Sequence, residues 1–223
     1  MSKMTVKRAT NHQQKEARRE AILAAARDLF LEAGFFDVNM ASIAKRSGLA
    51  KGTVYLYFQT KEEIFLTLST EEFENWLDMF DEELVKAGDN LEIKSFLDVL
   101  KRVLHQRDVM TRLISLLHLV LEKNISFEEA FAFKMNLKER SEKTSELVEK
   151  ALPFLDKGQG IEVLTTLHCL MVGFGQMSDP SPVLSKVLEH PDLAAFRVDL
   201  EERLVDSLSL FLIGLKCRSE GKC

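Results

Sequence analysis

Between positions 51 and 61 the sequence gathers Lys51, Gly52, Thr53, Tyr55, Tyr57 and Lys61. The chemistry these residues suit is the grip of a polyanion that carries bases. Lys51 and Lys61 are point charges for phosphates. Lys61 also falls in the first turn of a helix, whose free N–H groups attract a phosphate. Gly52 has no side chain, so backbone at a helix start can approach a duplex. Thr53 offers a hydroxyl to a phosphate or base edge and a methyl to thymine. Tyr55 and Tyr57 have flat apolar bodies with hydroxyl tips. Val54 and Phe58 read as core, and Tyr55 can be half core. Lys45 and Arg46 can be solvated as readily as bound.

The surrounding pattern supplies elements to position this set. Ile22, Ala25, Ala26, Leu29, Phe30 and Ala33 recur at helical spacing, which predicts a helix over 17–33 closed by Gly34. Asn39 reads as an N-cap for a short helix over 40–47, with Ile43 and Ala44 facing inward. Gly48 permits a left-handed turn and Leu49 plugs it. A second short helix is expected over 51–58, and Lys61-Glu62-Glu63 opens a long one carrying Ile64, Phe65, Leu68, Phe73, Trp76, Leu77 and Phe80. Two short helices joined by a glycine turn make a helix-turn-helix, and small Ala44 lets them cross closely.

Four prolines and ten glycines leave long stretches unbroken, which favours an all-α protein. Further helices are expected at 62–86, 91–105, 108–122, 126–150, 160–178 and 193–217. Residues 1–16 are polar, basic and unpatterned, and read as a flexible arm. Charge is uneven. Residues 1–61 hold eleven Lys/Arg against five Asp/Glu, a net of +6; the rest hold nineteen against thirty, a net of −11. A basic head on an acidic body suggests that only the head meets a polyanion. No apolar run approaches the roughly 20 residues a bilayer needs, and no apolar stretch follows the basic N-terminus, so no membrane partner and a cytoplasmic location are expected. The three cysteines, Cys169, Cys217 and Cys223, form no C-x-x-C pair, and reduced thiols are the plain reading.

The run from Ile43-Ala44-Lys45-Arg46-Ser47-Gly48-Leu49-Ala50 through Lys51-Gly52-Thr53-Val54-Tyr55-Leu56-Tyr57-Phe58 to Lys61-Glu62-Glu63-Ile64 closely resembles the DNA-binding domain of the TetR family. The upstream Ala25-Ala26, Leu29-Phe30 and Gly34-Phe35 match its first helix. The resemblance covers about residues 17–65; the body resembles the family only in length and helical pattern. It implies a DNA-binding domain over 17–65 and a ligand-binding and dimerisation domain over 66–223. The implied DNA-facing set is Asn39, Lys45, Arg46, Ala50, Lys51, Gly52, Thr53, Tyr55, Leu56, Tyr57 and Lys61. Ala50 is a departure, since the family usually has Ser or Thr there to cap the recognition helix.

The same resemblance implies a transcriptional regulator, a ligand-responsive repressor that binds a palindromic double-stranded operator as a homodimer. The last two long helices would pair with a partner subunit, and Gly173, Leu204, Leu208, Phe211 and Leu215 are the expected contacts. The middle helices would enclose a largely apolar small-molecule effector. Trp76, Phe80, Leu113, Leu117, His118, Phe131, Met135, Met171 and Phe174 are its candidate lining, although such stripes also suit plain core. No G-x-S-x-G, phosphate-binding loop, dinucleotide fingerprint or H-E-x-x-H is present, so no enzyme, cofactor or metal is expected. The alternative is a small-molecule-binding helical protein or enzyme without DNA-binding activity.

Overall fold

Residues 2–33 contain no proline or glycine, and they form a single helix, α1 (Ser2–Ala33). The computed structural model describes residues 2–105, 108–117 and 125–221, and every regular element among them is helical. The stretch 1–16, expected as a flexible arm, is from Ser2 onward the start of α1. An apolar stripe reports a packing partner, not helicity, and Lys, Arg, Gln and Ala are good helix formers without one.

The inward face of α1 buries Ile22, Ala25, Ala26 and Phe30. Gly34 ends the helix at φ 79°, its N–H donating to Phe30 O at 2.9 Å. Asn39 then caps α2 (Met40–Ser47): its Oδ1 accepts from the N–H groups of Ala41 and Ser42, both at 3.0 Å. Ser42 Oγ in turn accepts from Asn39 N–H at 3.1 Å, completing a capping box. Gly48 closes α2 at φ 69°, the left-handed conformation expected of it.

α3 (Lys51–Tyr55) is three residues shorter than expected. Leu56 and Tyr57 donate to carbonyls three residues back, Thr53 O at 3.1 Å and Val54 O at 3.0 Å, and this tighter winding delivers Phe58 to the core. α4 (Lys61–Ala87) follows. The first compact unit ends at Ser69, beyond the expected boundary at 65. At the start of α4, Phe65 lies edge-on to Phe35 at 5.1 Å and beside Phe30 at 5.6 Å.

The second unit, from Thr70 onward, adds α5 (Ile93–Leu104), α6 (Asp108–Leu117), α7 (Phe127–Ala151), α8 (Gln159–Ser178), α9 (Pro182–Leu188) and α10 (Leu200–Ser219). α8 packs against α6, α7 and α10, and α10 packs also on α5. Two glycines make these contacts close. A Cβ at Gly160 would stand 2.4 Å from Ser145 O of α7, and one at Gly175 would stand 2.6 Å from Ser115 Oγ of α6. Glu149 on α7 caps the start of α8, its Oε1 accepting from Gly158 N at 2.7 Å and Gly160 N at 3.0 Å.

A polar strut ties α4 to α7 inside this unit. Arg140 Nη1 sits 2.9 Å from Asp81 Oδ2 and donates to Thr144 Oγ1 at 2.8 Å, while Nη2 donates to Asp78 Oδ1 at 2.7 Å. Thr144 is fully buried and donates to Asp81 Oδ1 at 2.7 Å. The last helix starts at Leu200, not at 193. Ser181 caps α9 with Pro182 at its first position, a helix start where Asp179-Pro180-Ser181-Pro182 had read only as a break, and a 3-10 turn over Pro191–Phe196 follows.

Candidate functional site

α3 is held from beneath by Val54 and, just after it, Phe58, both buried. Its other positions face outward. Lys51 and Gly52 are exposed, Thr53 is half-buried, Tyr55 is 37% exposed and Leu56 81%. Lys51 Nζ lies 5.9 Å from the centre of the Tyr55 ring. A Cβ at Gly52 would meet nothing within 4 Å, so nothing in this chain requires the glycine. Ala50 makes no side-chain cap, as its methyl dictates, and Gln59 Nε2 donates to Tyr55 O at 2.8 Å at the other end. Tyr57 is half-buried and Lys45 exposed.

Three residues of the expected DNA-facing set are engaged inside the chain. Asn39 Oδ1 is taken by the α2 cap. Arg46 is bidentate to Glu32 of α1, at 2.9 and 2.6 Å, with Asp28 at 4.0 Å. The Arg46 hydrogen bonds hold the Glu32 carboxyl below its ordinary range. The pair therefore supports the fold above that ordinary pKa and loses its effect as pH falls through the lowered value. Lys61, expected at a phosphate, donates to Phe35 O and Val38 O, both at 2.9 Å, with Nζ 4.2 Å from the centre of the Phe35 ring. Its charge was legible in the sequence; the two carbonyls of the turn after α1 were not.

Lys61→Met keeps the apolar stem and removes the donor. It should cost about 1–3 kcal/mol of stability in urea unfolding, the penalty for acceptors left unsatisfied. The salt dependence of any DNA binding should stay unchanged. A slope lower by about one counterion would instead place this ammonium on a phosphate.

The second unit holds a pocket of about 420 Å³ that is partly open to solvent. α4 contributes Phe73, Trp76 and Leu77, and α8 contributes Ile161, Leu164, Leu167 and Met171. α7 adds a polar side, with Lys134, Lys138, Ser141 and Glu142, and Thr165 and His168 of α8 complete it. Of the expected lining, Trp76, Leu117 and Met171 are here. Phe80 and Leu113 are buried away from the cavity, and Phe174 packs on the core. Phe131 and Met135 are exposed on α7, with Phe131 stacked on Phe127 at 6.0 Å. His118 lies outside the described residues. The α7 lysines were missed, although Lys134, Lys138 and Ser141 fall at i, i+4 and i+7 and so mark one polar helix face.

The expected contacts between copies need correction. Leu204, Leu208 and Leu215 are buried in the chain's own core, so that face of α10 is already covered. Helical spacing marks a face that is buried without saying which chain buries it. Gly173 is exposed and Phe211 half-buried. The apolar side chains that α10 leaves in solvent are Leu210, 72% exposed, and Ile213, 46%. On α8, Cys169, a free thiol, and Met177 are exposed as well. No helix among the described residues is long and apolar enough to cross a membrane.

A family model described as "Bacterial regulatory proteins, tetR family" matches residues 22–68, and one described as "Tetracyclin repressor-like, C-terminal domain" matches residues 70–219. The fatty acid metabolism regulator protein of Bacillus subtilis is 34% identical over 71 residues, 32% of this chain and 37% of its own length. The HTH-type transcriptional regulator QacR of Staphylococcus aureus is 32% identical over 74 residues, 33% of this chain and 39% of its own. This chain thus spans less than half the length of these two curated relatives. Among solved structures, the fatty acid degradation regulator FadR from Bacillus halodurans matches with a TM-score of 0.56 at 19% identity, over 88% of this chain and 95% of that one. FadR from Thermus thermophilus, described as a transcriptional repressor in complex with lauroyl-CoA, matches with 0.56 at 19% identity, over 87% and 93%. At those identities the likeness is one of fold.

Proposed function

Because this chain belongs to the TetR family of bacterial regulatory proteins, we propose that it is a ligand-responsive transcriptional repressor that grips double-stranded operator DNA with its first unit. The observation that carries the reading is the outward face of α3. Lys51, Gly52, Thr53 and Tyr55 stand on a helix whose Val54 is anchored in the core, and Leu56 follows directly after it. Tyr55 and Leu56 leave apolar surface in water where a base edge or thymine methyl would cover it. Gly52 leaves room for a backbone to approach.

The protein acts as a homodimer in this reading, since an operator with two half-sites is read by a two-fold assembly. The surface for the partner is the solvent-facing side of α8 and α10, around Gly173, Leu210 and Ile213. The cavity of the second unit holds a largely apolar effector. Relatives named as fatty acid regulators, one of them described with lauroyl-CoA, support an effector with an apolar part. α4 starts in the first unit and lines the cavity in the second, so a single helix can carry the response. Linkage requires effector and operator to weaken each other by the same factor.

Selection of duplexes from a random pool tests the reading. The effector-free protein should enrich an inverted repeat. Thr53→Ala should lose about 1–3 kcal/mol on that repeat and almost nothing on random DNA. Equal losses on both would restrict Thr53 to phosphate contact, and failure to enrich any duplex would sink the proposal.

A further inference from the structure

Trp76 stands in the wall of the pocket, 1% exposed, and its indole N–H is buried with no acceptor among the described residues. Native proteins leave few buried donors in that state. The ring has little freedom to find an acceptor by turning, since it stacks on Phe80 at 5.6 Å and 13° and lies 5.9 Å from Phe73. Leu77, Leu117, Leu167 and Met171 of the same wall are buried too. The inner part of the pocket is therefore an apolar surface with one fixed, unanswered donor, beside a space large enough for a small molecule.

The charged groups of the wall are already engaged. Glu142 is bound to Lys138, with Nζ 2.7 Å from Oε1 and 2.8 Å from Oε2, and both side chains are more than half exposed. Lys134 and His168 also have partners in the chain, and the Lys134 ammonium lies 5.2 Å from the centre of the Phe133 ring. The Lys138–Glu142 pair thus stands in water on the open side of the pocket. None of these groups is left over to neutralise a charge carried inside. An ionised ligand head would lose its hydration there and meet no counter-charge. A neutral oxygen loses far less and meets an indole N–H that has no other acceptor.

We infer that the pocket takes an uncharged ligand whose apolar body lies against α4 and α8 and whose carbonyl oxygen accepts from the Trp76 indole. The ligand is neither a free acid nor an amine, since either would bring an unmatched charge to the inner wall. This rests on the reading of the second unit as an effector domain and names the chemistry of that effector. Trp76 is then the residue that tells a neutral carbonyl compound from a plain hydrocarbon of the same shape, a role that core packing does not give it.

Trp76 is the only tryptophan in the sequence, so a ¹⁵N–¹H correlation spectrum contains one indole cross-peak. The probes are 2-acetylnaphthalene, 2-ethylnaphthalene and 2-naphthoate, one ring system carrying a neutral acceptor, no acceptor or a charge. The acetyl probe should move the indole proton downfield as its N–H gains an acceptor. It should bind about three- to tenfold more tightly than the ethyl probe, the worth of one net hydrogen bond. At neutral pH the naphthoate should bind weaker than the acetyl probe by roughly tenfold or more. Trp76→Phe, which keeps a ring and removes the donor, should erase the difference between the acetyl and ethyl probes. Naphthoate or the ethyl probe binding as tightly as the acetyl probe, no binding of the acetyl probe, or its binding with the indole peak unmoved would each overturn the inference. The wild-type spectrum decides even where the Phe variant fails to fold. Operator binding by the probe-free protein is judged separately. A chain that binds DNA and ignores the acetyl probe keeps the regulator reading and loses this inference, and the reverse result does the opposite.

Discussion

Arg140→Met is expected to remove about 3–5 kcal/mol from the folded state, because it strands a buried carboxylate. Asp81 is 6% exposed, and its neighbours in the strut are Arg140, Thr144 and, at 3.4 Å from Oδ2, Lys143. Lys143 is largely exposed and holds its charge mainly in water, so it replaces little of what Arg140 gives. Asp78→Asn should cost far less, since that carboxylate is mostly solvated. Combining Arg140→Met with Asp81→Leu should recover much of the loss, because no unpaired charge then remains inside. Urea unfolding of the three variants checks this. A loss below about 1 kcal/mol for Arg140→Met would mean that water, not the guanidinium, satisfies Asp81.

The second large effect separates the two sides of α10. Leu208 is fully buried, so Leu208→Asp puts an unpaired charge into the core, a cost of several kcal/mol against a typical domain stability of about 5–15. That variant should fail to fold. Leu210 lies two positions on and is 72% exposed. Leu210→Asp should leave the stability of a single chain within about 0.5 kcal/mol, as surface changes usually do, yet split the proposed dimer and so halve its mass in light scattering. A folded, monomeric Leu208→Asp protein would restore the sequence-based expectation that Leu208 lies between copies. A Leu210→Asp protein that remains dimeric would move the interface elsewhere.

The contrast shows what a sequence can and cannot carry here. The helix-turn-helix was readable because its signals are local: Asn39 caps within three residues, Gly48 turns within one, and Ile43 and Val54 each mark a single inward face. The family resemblance rests on that same stretch. α9 was missed because Ser181-Pro182 serves equally as a stop and as a start, and only the capping hydrogen bond from Leu184 N–H to Ser181 Oγ tells them apart. The strut and the engagement of Lys61 were not readable, since Asp81 and Arg140 are 59 positions apart and Lys61 reaches back 26 and 23. In the cavity, the apolar half was partly legible from Trp76 and Met171. The polar half was not, because the i, i+4, i+7 spacing of Lys134, Lys138 and Ser141 puts them on one face of α7 without saying what that face lines.

A protein searching a chromosome must hold wrong sequences loosely enough to leave them. Every cation free to meet any phosphate lengthens the stay on every wrong site, because phosphate contact carries no sequence information. The Arg46–Glu32 pair withholds one guanidinium from that pool, and the turn after α1 withholds the Lys61 ammonium. Lys45 and Lys51 form no ion pair among the described residues. The basic head is thus weaker as bait than its residue count suggests. Releasing Arg46, by Glu32→Gln, should lengthen dwell times on unrelated DNA and slow the arrival at the operator, even as overall affinity rises.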